Sequence, residues 1–104
     1  MEQLYVENGR LTFFVPKELD DHNAKEFKEQ IDRVLDSQWI RTLVFDFQDT
    51  AFMDSSGIGM ILGRYRKLSY TGGKVKAVHM NDRISRMMAI SGLCRVIQTE
   101  KRGK

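Results

Sequence analysis

Apolar residues recur along this chain with two different periods. Leu4-Tyr5-Val6 and Leu11-Thr12-Phe13-Phe14-Val15 are short runs of β-forming side chains. Asn8-Gly9 between them is a strong signal for a tight hairpin turn. Pro16 has no N–H for a sheet ladder, so the second strand should end there or lie beside an edge. Lys17-Glu18-Leu19-Asp20 reads as a polar loop. From Asn23 the period becomes helical: Ala24, Phe27, Ile31, Val34 and Leu35 recur at three- and four-residue steps as one apolar stripe. Asn23 followed by Glu26 resembles a capping box at its start. Glu26, Lys28, Glu29, Asp32 and Arg33 fall elsewhere and read as a solvated face.

Thr42 to Phe47 is the next strand, and the unbroken apolar run Leu43 to Phe45 suits a strand covered on both faces. Trp39 just before it reads as a lid over the core edge. A second helix is expected from about Ser56 to Ser69, burying Ile58, Ile61, Leu62, Tyr65 and Leu68, with Thr71-Gly72-Gly73 ending it. Met60, Gly63, Arg64 and Lys67 lie opposite that stripe, as a shallow surface suited to another protein. Lys74 to Val78 alternates as a one-sided strand. Asn81 or Asp82 caps a third helix with Ile84, Met87 and Met88 inward, Ser91-Gly92 closes it, and Leu93 to Thr99 returns as a last strand. The order β-β-α-β-α-β-α-β predicts an α/β fold, a mixed β-sheet packed with helices, antiparallel at its first pair and parallel through crossovers elsewhere.

The 104 residues allow a single domain, and 41% hydrophobic with 30% charged residues suits a globular chain. No apolar run reaches the roughly 20 residues of a membrane span. Met1-Glu2-Gln3-Leu4 lacks the basic-then-apolar order of a signal peptide. The lone Cys94 cannot close an internal disulfide, so a reducing, cytoplasmic setting is expected. The net charge of +3 is carried by the tail Lys101-Arg102-Gly103-Lys104, read as solvated and frayed, and the body is near neutral. With no basic stripe, a nucleic-acid role is not expected.

The chemistry gathers at Phe52-Met53-Asp54-Ser55-Ser56-Gly57-Ile58-Gly59, where a strand gives way to a helix. Neither serine has glycine two residues before it, so the nucleophile elbow of a serine hydrolase is absent. His22 and His79 lie far away in sequence. Gly57, Gly59 and Gly63 match neither a dinucleotide fingerprint nor a phosphate-binding loop. Asp46 and Asp49 have no third carboxylate or histidine at metal-ligand spacing, and Cys94 with two distant histidines makes no zinc site. A hydroxyl at a helix start faces free N–H groups and the positive dipole end, where the fold tolerates an added phosphate. Ser55 is therefore expected to be a phosphorylation switch, with Ser56 nearer the cap. Three glycines early in a helix cost about 1 kcal/mol each relative to alanine, and serve either tight packing on the sheet or close approach by a partner.

The run Phe52 to Tyr65 resembles the signature of bacterial anti-sigma factor antagonists, the STAS domain family, and most resembles the sporulation-type members. Glu18-Leu19-Asp20, Gly72-Gly73 and Ser91-Gly92-Leu93 support the resemblance over nearly the whole chain. It implies a partner-switching protein that is not an enzyme and needs no cofactor. Its unphosphorylated form binds an anti-sigma factor that is also a serine kinase, freeing the sigma factor. The kinase uses ATP to phosphorylate the serine after the motif's Asp, here Ser55, and a metal-dependent serine phosphatase restores it. The resemblance puts Asp20, Asp54, Ser56 and Gly57 on the kinase-contact surface. Met60 and Arg64 join them from the face opposite the buried stripe. Lys17 departs from the family's glycine before Glu-Leu-Asp, and the family's final helix is expected to be short or missing. A STAS module in a larger stress or sensor complex is the alternative, and a serine hydrolase a lesser one.

Overall fold

The computed structural model describes residues 3–103. Strands β1 (Leu4–Glu7) and β2 (Arg10–Phe14) form the hairpin, with Glu7 opposite Arg10. Asn8 and Gly9 make the turn at φ 54 and 79. Two successive left-handed residues are what a two-residue hairpin turn of right-handed twist needs, and Asn-Gly supplies them with little strain.

Helix α1 (Ala24–Ser37) leads to β4 (Thr42–Asp46), α2 (Ser55–Ser69) to β6 (Lys74–Met80), and α3 (Asp82–Ser91) to β7 (Gln98–Lys101). The five-stranded sheet runs β1-β2-β4-β6-β7, antiparallel at its first pair and parallel thereafter. Each crossover steps one strand further in the same direction, so right-handed connections lay all three helices on one face. The core agrees. Leu11, Phe13, Leu43, Phe45, Val75 and Ala77 meet Ile31, Ile61, Leu68, Ile84 and Met88 in one apolar cluster. Val44 belongs to the other face and is buried without a helix, flanked in register by Thr12 and Lys76.

The expected element order is present, with two additions and several corrections. Lys17–Asp20 is not simply a loop. Glu18–Leu19 is a strand, β3, pairing in parallel with β5 (Phe52–Met53) as a separate two-stranded sheet. Two residues carry too little period to be seen in sequence, and the pairing partner lies more than thirty positions away. Leu93–Arg95 is a turn of 3₁₀ helix, so β7 begins at Gln98, later than expected. Asn23 is the first residue of the α1 cap but forms no capping box. Its carboxamide accepts the Asp20 N–H at 3.0 Å and donates to the Glu18 carbonyl at 2.9 Å, while Glu26 meets Gln30. Trp39 is no lid: it is 63% exposed with the Arg41 guanidinium 4.9 Å from its ring, and Ile40 fills the core edge instead.

The basic tail is likewise not frayed where it is described. Lys101 pairs with Asp82 at 2.8 Å. The Arg102 N–H donates to the Met80 carbonyl, and its guanidinium donates to the Phe47 carbonyl at 2.7 Å and the Thr50 carbonyl at 3.4 Å. Met1, Glu2 and Lys104 lie outside the described residues.

Asn81 caps α3 by accepting the Ile84 N–H at 2.8 Å, and its amide donates to the Thr50 carbonyl at 3.3 Å. Asn81→Ala removes both bonds and should lower stability by about 1–2 kcal/mol, read as the midpoint of denaturant unfolding.

Candidate functional site

The β3–β5 pair builds the site. Its register sets Leu19 against Met53, and the Asp54 N–H donates to the Leu19 carbonyl at 3.1 Å. Asp20 and Asp54, far apart in sequence, therefore leave parallel strands side by side. The Lys17 carbonyl accepts from both Ala51 and Phe52, at 2.8 and 3.1 Å, which seats the loop despite the lysine there. Behind it, the buried Thr50 donates its hydroxyl to the Val15 carbonyl at 3.0 Å.

Asp54 is the N-cap of α2, accepting the Ser56 N–H on Oδ1 at 2.8 Å. The aspartate, and neither serine, satisfies the helix start. Ser55 is the first helical residue and is exposed, while Ser56 is half-buried. The Ser55 hydroxyl is thus presented to solvent at the positive end of a fifteen-residue helix. Asp20 is half-buried and accepts the His22 N–H at 2.9 Å. The His22 ring lies against Asp20 and Asp21, and the His79 ring against Asp46 at 2.9 Å. Neither imidazole hydrogen-bonds to Ser55 or Ser56 among the described residues. Asp46 also accepts the Gln48 N–H, so it belongs to a strand-end network with His79, which sits at φ 60. Asp20, Asp21 and His22 hold ligand atoms within 4.8 Å of one another on an open loop, an acidic grouping common without any ion.

Two expected contact residues are placed differently. Met60 and Arg64 are only 4% and 6% exposed and share the buried face of α2 with Gly57, Ile61 and Leu68. Arg64 turns toward α1, with Nε 2.9 Å from Asp32 Oδ1 and an Nη donating to the Met60 carbonyl at 3.3 Å. The buried face of α2 is rotated from the expected stripe, and Ile58, Leu62 and Tyr65 are only partly covered at its border. An arginine counts as polar in a periodicity. Its partner, Asp32, sits on a different helix, so the sequence carries no signal of the pairing.

The glycines divide by mechanism. Gly57 is buried where a Cβ would stand 2.4 Å from Met53 Cγ, 2.6 Å from its sulfur and 3.1 Å from Leu19 Cδ2. This is the tight packing of α2 on the small sheet. At Gly59 and Gly63 a Cβ would meet nothing within 4 Å. Gly57→Ala should therefore cost about 1–2 kcal/mol despite its better helix propensity, as overpacking outweighs it. Gly59→Ala should gain up to about 1 kcal/mol. Thermal unfolding of both variants separates the two cases.

A mixed sheet with helices on one face, presenting an exposed serine directly after the aspartate that caps α2, is the architecture of one class of domain. The chain belongs to the STAS domain family, whose model matches residues 3–102. Among its relatives is an anti-sigma F factor antagonist of Paenibacillus polymyxa, 32% identical over 89 residues, covering 86% of this chain and 76% of that one. The unphosphorylated form of the anti-sigma factor antagonist SpoIIAA superposes with a TM-score of 0.85 at 26% identity, over 93% of this chain and 85% of that chain. The phosphorylated form of the Bacillus cell fate determinant SpoIIAA superposes at 0.77, also at 26% identity, over 93% and 88%. Among the described residues no helix is long and apolar enough to cross a membrane.

Proposed function

We propose that this chain is an anti-sigma factor antagonist acting as a single STAS domain in the cytoplasm, controlled by phosphorylation of Ser55. The unphosphorylated form binds an anti-sigma factor that is also a serine kinase and so releases the sigma factor. The kinase transfers the γ-phosphoryl group of ATP to Ser55 Oγ, the hydroxyl gives up its proton, and ADP leaves. A serine phosphatase hydrolyses the ester with water, returning the hydroxyl and inorganic phosphate. The antagonist is substrate and ligand, with no catalytic role of its own.

One observation carries this reading: Ser55 is exposed on the first turn of α2, while Asp54 already caps the helix. A phosphate there sits on an exposed residue at the favourable end of the helix dipole, so the fold tolerates it. It also adds roughly −1.5 to −2 charges between Asp20 and Asp54, which a docked partner must desolvate. Phosphorylation therefore acts on the complex and leaves the domain folded. Asp20, Asp54, Ser56 and the backbone at Gly57 form the contact surface, and the burial of Met60 and Arg64 removes them from it. The antagonist names of the relatives support the same reading.

Incubating the chain with a serine-kinase anti-sigma factor and ATP, followed by peptide mass spectrometry, tests it. A single phosphate on Ser55 is expected. Modification at Ser56 alone, or none in a complex that forms, overturns the assignment.

A further inference from the structure

The segment from β5 into α2 runs alongside α3, and the pairing of side chains along this seam is specific. Phe52, on β5, lies under the guanidinium of Arg83, whose Cζ is 5.8 Å from the ring centroid. Further along, Ser55 and Ile58 face Met87, Ile90 and Ser91 across a groove of about 240 Å³. Arg83, Met87 and Ile90 are four and three residues apart, on one side of α3. Ser55 therefore shares one wall of this groove with Ile58, and Arg83 stands one turn before Met87 on the facing helix.

Arg83 differs from its charged neighbours. Asp82 is held by Lys101 at 2.8 Å, which keeps its carboxyl below the ordinary carboxylate range, and Arg86 adds to the same field. Among the described residues Arg83 enters no ion pair and rests only on an aromatic face that is itself partly exposed. That contact is weak at an exposed site. A guanidinium pairs far better with a phosphate dianion, whose oxygens match its fork of donors.

We propose that Arg83 is the internal receptor for a phosphate on Ser55: on modification it leaves Phe52 and pairs with the phosphate across the seam between α2 and α3. This rests on the reading of Ser55 as the modified residue, and it adds a second consequence to the modification. The phosphate is held at the rim of the apolar groove formed by Ile58, Met87 and Ile90, and Phe52 loses its covering cation. Two surface features beside the switch change together, and the charge is fixed in one place.

Phosphoserine installed genetically at position 55 makes the test independent of any kinase. Its second ionisation is followed by ³¹P NMR, and the Arg83 side-chain N–H by ¹⁵N NMR. Asp54 and Asp20 raise the phosphate's midpoint from its ordinary value of about 6 and the helix dipole lowers it, so the test reads the difference that Arg83 makes against this fixed background. Arg83→Gln should raise that midpoint by about half a pH unit, the scale of an exposed charge pair. Arg83→Lys should raise it less. Arg66→Gln, an exposed arginine near the other end of α2, should leave it unchanged. Coincident midpoints for the wild-type and Arg83→Gln chains, or an equal shift from Arg66→Gln, overturn the proposal. A kinase that fails to modify Ser55 sinks the functional reading and leaves this measurement intact.

Discussion

A carboxylate at position 55 is expected to weaken binding to a serine-kinase anti-sigma factor at least about tenfold, or about 1.4 kcal/mol. Ser55→Ala should bind as the wild-type chain does and accept no phosphate. The contrast follows from the division of labour at the start of α2. Asp54 accepts the Ser56 N–H at 2.8 Å, so the Ser55 hydroxyl is not needed as a cap, and losing it should leave the helix intact. An aspartate there is favourable for the helix itself, by about 0.3–1 kcal/mol through the dipole. Ser55→Asp should thus unfold no earlier than wild type while binding less well. Isothermal titration of the three forms against one kinase, with thermal unfolding of each alone, reads both halves. Equal affinities across the set would remove the switch, and a binding loss matched by a drop in stability would make it a folding effect.

Arg64→Ala should destabilise the domain by about 2 kcal/mol. Breaking a buried pair by removing one partner costs about 3–5 kcal/mol when the remaining charge is fully enclosed. Asp32 retains 19% of its side-chain exposure, with Lys28 at 3.4 Å and Lys67 at 3.7 Å to compensate part of the loss. Lys67→Ala, at a side chain 36% exposed, should cost no more than about 0.5 kcal/mol. Arg64→Ala should leave the affinity of the folded fraction for the anti-sigma factor unchanged, since a side chain held between α1 and α2 is not available to a partner. A normal unfolding midpoint with a large binding defect would return Arg64 to the contact surface.

The site was legible where its signal was local. The hydroxyls and the glycines that open α2 are adjacent in the chain, and the helical stripe after them places them at its start, whereas Asp54, and not Ser56, proved to be the cap. The hairpin was legible for the same reason: Asn8 and Gly9 are residues that adopt left-handed backbone readily, and the turn needs two in succession. What could not be read was contact between distant segments. Asp20 reaches Asp54 through a parallel pair of two-residue strands. Arg64 is buried because Asp32 awaits it one helix away. Arg102 is fastened to Phe47 and Thr50, where composition alone suggested a solvated tail.

From its own order of residues the chain determined its three long helices, the strands of the main sheet up to β6, the hairpin turn, and that an exposed serine would stand at the head of α2. Those outcomes depend on backbone preferences and side-chain period, which act over a few neighbours. Only the tertiary structure decided which way α2 rolls on the sheet, which glycine is needed for packing, and that β3 pairs with β5 beside the head of α2. Rolling, packing and the β3–β5 pairing depend on shape and charge meeting across the fold, and a periodicity records only that a position is apolar or polar, never what it will touch.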